Sequence, residues 1–223
     1  MEIKTHMLIA GESNSGKSVT MNGLIIEVLL ENPENEIYLF DLKLVEFNRY
    51  RHIAPIYTNI REMADKLEEL HMIMMQRYQI MANSDEIEWQ AGHIYIFIDE
   101  LADITSHENK VLSKEIQNRL SSIARMGRAA GVHLVMATQY PTKQVIPMQI
   151  KMNTQKICLK CNSDIGYRVM LDRKYCDLKG NGDALYQDHK GDITHFQVNY
   201  YSNEVVKEFI NECRKYYEYK GDR

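Results

Sequence analysis

Gly11-Glu12-Ser13-Asn14-Ser15-Gly16-Lys17-Ser18 is preceded by the apolar run Met7-Leu8-Ile9-Ala10 and followed by Val19-Thr20-Met21-Asn22-Gly23-Leu24-Ile25-Ile26. The three pieces read as strand, loop and helix, and the spacing GxxxxGK[ST] between a strand and a helix is that of a phosphate-binding loop. Glycines let backbone N–H groups turn inward around a polyphosphate, and the following helix adds its positive end, roughly half a unit charge. Gly11 to Val19 is thus the expected cradle. Lys17 is placed to reach the β and γ phosphates, and the Ser18 hydroxyl to hold Mg²⁺, a hard cation that takes oxygen ligands. A Gly/Ser-rich loop that only caps a helix is the alternative. Glu12 puts a negative charge inside an anion site, so its side chain must turn to solvent or to a neighbour.

Two further apolar runs end in chemistry. His93-Ile94-Tyr95-Ile96-Phe97-Ile98 runs into Asp99-Glu100. A strand buried on both faces would deliver this acid pair at its carboxyl end, where open α/β sheets bind ligands. Asp99 is then the second Mg²⁺ residue and Glu100 the group that positions and polarises an attacking water; an acidic helix N-cap is the plain structural alternative. The run Val132-His133-Leu134-Val135-Met136-Ala137 ends in Thr138-Gln139, two polar side chains expected near the γ phosphate, where they could sense its presence.

Around these runs the pattern is α/β. A helix spans about 17 to 30, Glu36 to Asp41 reads as a buried strand, and Ala54 to Tyr57 as a short extended piece. From about Ile60 to Met81 a helical stripe carries Met63, Leu67, Leu70, Met74 and Ile80, with Met72, Met74, Met75 and Met81 expected as adaptable core packing. A helix from about Asn109 to Ala130 is expected to end at Gly131 with Arg125 and Arg128 in its last turns, where cations suit the negative end whatever the function. Residues 155 to 161 read as a strand, 163 to 171 as a short helix, and Lys179-Gly180-Asn181-Gly182-Asp183 as a turn cluster. Ala184 to Gln187 and Ile193 to Val198 flank a hairpin turn, and a helix from about Asn203 to Tyr217 closes the chain, with Tyr216, Tyr217 and Tyr219 read as packing and fraying.

A chain of 223 residues with 44% hydrophobic and 26% charged residues suggests one globular domain, with a core in 1–178 and a hairpin and helix in 179–223. A net charge of −4 gives no global attraction to nucleic acid, so any DNA contact must come from local loops. No apolar run approaches a membrane span and Met1-Glu2-Ile3-Lys4 does not open a signal peptide, so a cytoplasmic location is expected. The four cysteines, Cys158, Cys161, Cys176 and Cys213, are then expected reduced. Cys158-Leu159-Lys160-Cys161 has CxxC spacing but sits in a strand pattern, and packing is a simpler reading than a zinc site.

Taken in order, the motifs resemble the FtsK/SpoIIIE family of ring-forming DNA-pumping ATPases. The likeness is carried by His6 to Gly11 running into the loop, Asp41-Leu42-Lys43 with Glu46, Gln76-Arg77-Tyr78, and Ile98-Asp99-Glu100-Leu101-Ala102-Asp103. It continues through Ile123-Ala124-Arg125, Arg128 to Leu134, Ala137-Thr138-Gln139, Pro141 and Gly180 to Tyr186. The resemblance implies a RecA-like P-loop fold of the HerA/FtsK branch, with a mostly parallel central sheet, helices on both faces, and ATP with Mg²⁺ bound between subunits of a hexamer around double-stranded DNA. It implies Lys17, Glu100 and Gln139 as catalytic residues, with Thr138 beside the nucleotide. One of Arg125, Arg128 or Arg168 would act across the interface as an arginine finger, Arg128 being favoured. Asn14 stands where the family usually has glycine, Leu42 where it has proline, and Tyr140 where it has arginine. Nothing before the first strand reads as a membrane anchor and no DNA-reading module is seen, so the expectation is a minimal motor, either excised or native to a mobile element, with a plasmid, phage, conjugative or segregation role and room for a membrane-anchored or relaxosome-type partner. A related secretion-system ATPase moving proteins and a non-hydrolysing ATP-binding assembly module are the other functional readings.

Overall fold

The computed structural model describes residue 3, residues 5–175 and residues 177–221, with side chains through residue 215. Met1, Glu2, Lys4, Cys176 and the side chains of Tyr216, Tyr217 and Tyr219 lie outside the described residues. The strands are β1 His6–Ala10, β2 Glu36–Phe40, β3 Ile56–Tyr57, β4 Ile94–Ile98, β5 Val132–Thr138, β6 Thr154–Leu159, β7 Asp183–Gln187 and β8 Ile193–Gln197. The helices are α1 Lys17–Glu31, α2 Ile60–Ser84, α3 Leu101–Thr105, α4 Lys110–Met126, α5 Met148–Met152, α6 Asp164–Leu171 and α7 Asn203–Gly221.

One eight-stranded sheet runs in the order β3-β2-β4-β5-β1-β6-β7-β8. Its strands pair parallel from β3 to β6, and β7 and β8 join antiparallel as the expected hairpin. Every residue of β1, β4 and β5 is buried, as unbroken apolar strands require when helices cover both faces. Because side chains alternate across a sheet, the core divides in two. Leu8, Ile96, Ile98, Leu134 and Met136 face α2, α4 and α6, whereas Met7, Ile9, Phe97, Val135 and Ala137 face α1 and α7.

The parallel strands bring Ala10, Phe40, Ile98, Thr138 and Leu159 to a common carboxyl edge. Each loop leaving that edge can carry a functional residue to the same place.

Several expectations need correction. In α2 the three-and-four progression from Met74 leads to Arg77 and Met81, both buried, and leaves Ile80 exposed. Met74 and Met81 pack in the core, but Met72 and Met75 face outward at 54% and 41% exposure and do not. The expected 109–130 helix stops at Met126. Gly127 N donates to Ile123 O at 2.6 Å, Val132 N donates to Gly127 O at 2.9 Å, and a Cβ on Gly127 would lie 2.2 Å from Val132 O. Gly131 does take the left-handed geometry, φ 64°, but at the end of the turn that follows, and Arg128 belongs to that turn rather than to the helix. Strand β6 ends at Leu159, two residues early, because the Lys160 carbonyl and the Cys161 amide bond to the phosphate loop and to Tyr167. Helices α3 and α5 are additions, each too short to show a period.

Candidate active site

The Gly11–Ser18 segment leaves β1 and is held from three sides. Gly11 N donates to Thr138 O at 3.3 Å, Glu12 N donates to Lys160 O at 2.7 Å, and Ser15 O accepts Gly182 N at 2.9 Å. Ser15 N closes the loop on Glu12 O at 3.2 Å. Asn14 (φ 63°) and Gly16 (φ 112°) both adopt left-handed backbone, which turns successive amides toward one side. At Gly16 a side chain is excluded twice, by this φ and by Gly182 N, 2.8 Å from where a Cβ would sit. At position 14 asparagine tolerates what glycine usually supplies. Helix α1 starts at Lys17 with no side-chain cap, so its first amides are free of an internal carboxylate or hydroxyl and suit an anion.

Glu12 turns to a neighbour, as its charge demands, with Oε1 3.7 Å from Lys160 Nζ. Lys17 Nζ donates to Gly11 O at 2.8 Å and Glu12 O at 2.9 Å. Burial pulls its ammonium below the ordinary lysine range, and the charges of Glu100, Asp99 and Glu46 oppose that shift. The acid pair therefore lies within electrostatic reach of the loop lysine.

Asp99 is pushed up to about 7, first by burial and then by the negative charges of Glu46, Asp41 and Glu100, with Lys17 opposing. Burial also raises Glu46. Asp41, at the end of β2, is fixed by accepting the amides of Lys43, Glu46 and Phe47 at 3.1, 2.9 and 3.1 Å. Reading residue by residue did not assign Asp41 or Glu46 to the site. The available signal was an acid ending a second parallel strand beside β4, because the carboxyl ends of neighbouring strands share an edge.

Glu100 is 6% exposed and serves as the N-cap of α3, accepting Ala102 N at 3.0 Å. The plain capping reading of Glu100 is thus realised. Its Oε1 also accepts the Thr138 hydroxyl at 2.6 Å, and its Oε2 accepts Gln139 N at 2.8 Å. A carboxylate offers about four lone-pair sites; three are used to orient it, which leaves Oε2 able to take one more donor. The Gln139 side chain receives Ser13 Oγ–H on Oε1 at 2.8 Å, tying the end of β5 to the phosphate loop.

The Ser18 hydroxyl in the first turn of α1 and the Asp99 carboxylate just after β4 are hard-oxygen donors that fit Mg²⁺, and the crowding of negative charge that raises Asp99 is what a divalent cation would relieve. Lys17, Ser18, Asp99, Glu100, Thr138 and Gln139 all belong to this one edge of the sheet. Two of the arginines, Arg125 and Arg128, do not join them. Arg128 precedes the amino end of β5, with its guanidinium 3.8 Å from Glu88 Oε1, and Arg125 and Arg128 border a cleft that Thr5, Gln155 and Lys156 also line. Six residue steps, roughly 20 Å, separate Val132 at that end from Thr138. Arg168 lies on α6, paired with Asp164 at 2.9 Å.

Comparison with known proteins gives a consistent answer. The model of the FtsK/SpoIIIE family matches residues 1–93 and 84–143. DNA translocase FtsK of Staphylococcus epidermidis strain RP62A is 32% identical over 234 residues, covering 92% of this chain and 29% of its own length; that of Staphylococcus aureus strain Mu50 is 33% identical over 235 residues with the same coverage. The chain therefore spans under a third of these relatives. Among solved structures, the pCW3 conjugation coupling protein TcpA with ATPγS superposes with a TM-score of 0.88 at 23% identity, covering 97% of this chain and 66% of that one. EssC (ATPases 2 and 3) from Geobacillus thermodenitrificans superposes at 0.82 with 18% identity, covering 97% and 45%. At these identities the superpositions speak for the fold, an α/β architecture shared with P-loop ATPases. With the family model matched from β1 through β5, this chain belongs to the FtsK/SpoIIIE family.

Proposed function

We propose that the chain is the ATP-hydrolysing motor segment of a DNA translocase, acting as a ring, most simply a hexamer, on double-stranded DNA. The observation that carries this is the convergence on Lys17 of a buried, oriented glutamate and a second acid. ATP would lie along the amides of residues 11–19, with Lys17 at its terminal phosphates and Ser18 and Asp99 holding Mg²⁺. The cation, when bound, would supply charge neutralisation to the polyphosphate. Glu100 would orient the attacking water through Oε2 and take up its proton, and Thr138 keeps that carboxylate in place. Gln139, bonded to Ser13 of the loop and to Glu100, would report the presence of the γ phosphate. Arg128 would complete the site of an adjacent subunit.

The family relatives named DNA translocase support DNA as the cargo. The test is ATP turnover with and without duplex DNA across a salt series. Stimulation that falls steeply as salt rises, as phosphate contacts require, is expected. A rate indifferent to duplex DNA at low salt overturns the DNA assignment, and stimulation by a peptide signal in its place would mark a motor that moves proteins.

A further inference from the structure

The CxxC pair is not absorbed by the nucleotide chemistry, yet it stands against the phosphate loop. Cys158, fully buried, lies in β6, paired in register with Ala10 on one side and Leu185 on the other. Cys161 follows the end of the strand, half-buried, where the chain bends so that the two sulfurs are 3.9 Å apart. Between them, Lys160 makes two links to the loop: its carbonyl accepts Glu12 N at 2.7 Å and its ammonium lies 3.7 Å from Glu12 Oε1. The Cys161 amide donates to Tyr167 Oη at 3.0 Å.

We propose that Cys158 and Cys161 form an oxidisable dithiol whose closure to a disulfide displaces Lys160 from the phosphate loop and weakens nucleotide binding; this rests on the nucleotide-site reading above. Closing the pair from 3.9 Å to a bond of about 2.05 Å requires one sulfur to move by nearly half the gap. Cys158 is held by ladders on both sides, so the movement falls on Cys161 and on the adjoining Lys160 carbonyl. The same pairing assigns the roles. The hydrogen bond with Cys158 and, more weakly, the charge of Lys17 favour the Cys161 thiolate against its own burial and the nearby charge of Glu12, whereas that hydrogen bond and burial keep Cys158 protonated. The oxidant is a hydroperoxide. The Cys161 thiolate attacks its distal oxygen, the O–O bond breaks, and the departing oxygen leaves as water or alcohol after taking a proton, which gives a sulfenic acid. Cys158 sulfur then attacks that sulfur, the S–O bond breaks, and the hydroxyl leaves with the Cys158 proton as a second water. Two thiols are oxidised and one peroxide is reduced.

The experiment uses the full chain carrying Cys176→Ser and Cys213→Ser, treated with hydrogen peroxide and followed by peptide mass and by ATPγS affinity. The expected result is a 158–161 cross-link, seen as the mass of one hydrogen molecule lost, with affinity about tenfold weaker, the scale of one lost charge-assisted anchor, and restored by dithiothreitol. Adding Cys161→Ser, or Cys158→Ala, should remove both the mass change and the response, so that the affinity of the untreated protein persists after peroxide. Thiols that stay free at peroxide levels sufficient to oxidise glutathione, or a complete cross-link with unchanged affinity, overturn the proposal. Reduced protein that fails to bind ATPγS overturns the nucleotide-site reading, and with it the coupling, whatever the thiols have done.

Discussion

Glu100 caps α3 and has a proposed part in hydrolysis, and one substitution separates the two. Its carboxylate accepts from Ala102 N, Thr138 Oγ1 and Gln139 N, all of which must find an acceptor in a buried place. In Glu100→Gln the new amide group faces one of these donors, so the fold should lose about 1–3 kcal/mol, the cost of a buried donor left unmatched. ATP binding should survive while turnover falls by at least about a hundredfold, the share of a general base; undiminished turnover would remove Glu100 from its role. Lys17→Ala should act on binding itself, since the ammonium is the cation of the loop. A second residue-scale prediction concerns acid. His6 Nδ1 accepts Leu134 N at 3.0 Å, and His133 Nε2 meets His93 Nδ1 at 3.0 Å with Tyr95 stacked on its ring. Burial lowers His6 to about 4, and burial, with the charges of His6, His93, Arg77 and Arg128, holds His133 well below the usual range. In the unfolded chain both titrate near 6.5, so between there and about 4 the unfolded state binds more protons. Their contribution is whole above pH 6.5 and lost as pH falls toward 4, up to about 3 kcal/mol for His6. His6→Asn keeps an acceptor for Leu134 N without the titration, so its denaturant midpoint should fall less than the wild type's from pH 7 to 4.5. Parallel curves would sink the assignment. Comparing the two chains cancels other titrating groups, Asp99 among them.

Between residue and fold stand the elements, and α2 does more than cover the sheet. From its buried face Arg77 donates to Ala130 O at 2.9 Å, Gly131 O at 3.1 Å and Gly92 O at 3.1 Å, with its guanidinium over the Trp89 ring at 4.6 Å. Tyr78 Oη adds a bond to Met126 O at 2.5 Å. The helix therefore clamps the turn that presents Arg128. Lysine keeps the charge but not the planar fork, so Arg77→Lys should cost about 2 kcal/mol in unfolding free energy and speed amide exchange in residues 127–131 while leaving ATP affinity in place. Unchanged exchange in that turn would refute the clamp. The same elements mark what the sequence made legible. Strands β1, β4 and β5 were readable because burial on both faces writes an unbroken apolar run, and the acids and hydroxyl at their ends followed from the rule that parallel strands share an edge. The stripe of α2 was misread at its end because Arg77 occupies a core position through hydrogen bonds to carbonyls rather than through apolar surface, and no hydrophobic period records that. The end of α4 was misplaced because Gly127 and Gly131 both look like terminators, and only the contact with Val132 O decides between them. The turn at 179–183 was visible as a turn, but its service as a brace, with Gly182 N on Ser15 O, depends on a packing across more than 160 residues that local pattern does not encode.

At the scale of the molecule, the proposed nucleotide residues occupy the carboxyl edge of the sheet and Arg128 the amino edge. A group at one edge completes a site at the other only when copies associate head to tail, and such a contact closes into a ring if its rotation closes. The overall charge of −4 gives DNA no general reason to bind, so any grip on duplex must come from surfaces that assembly concentrates. This separation of parts makes the proposed role of Arg128 testable without a structure of the assembly. Lys17→Ala removes the cation of a chain's own loop, and Arg128→Ala the group it would lend to its neighbour, so each variant alone should lose turnover at every interface. Mixed in equal amounts and allowed to exchange, about a quarter of head-to-tail interfaces should pair an intact loop with an intact arginine. ATP hydrolysis should then rise above that of either variant alone, toward that fraction of the wild-type rate where sites fire independently and less where they are coupled around the ring. The control is the double variant mixed with wild type, which offers intact pairs at the same fraction without any need for complementation. If that control retains activity and the two single variants together show none, Arg128 does not act across an interface, and the completing cation must be sought at Arg125 or Arg168.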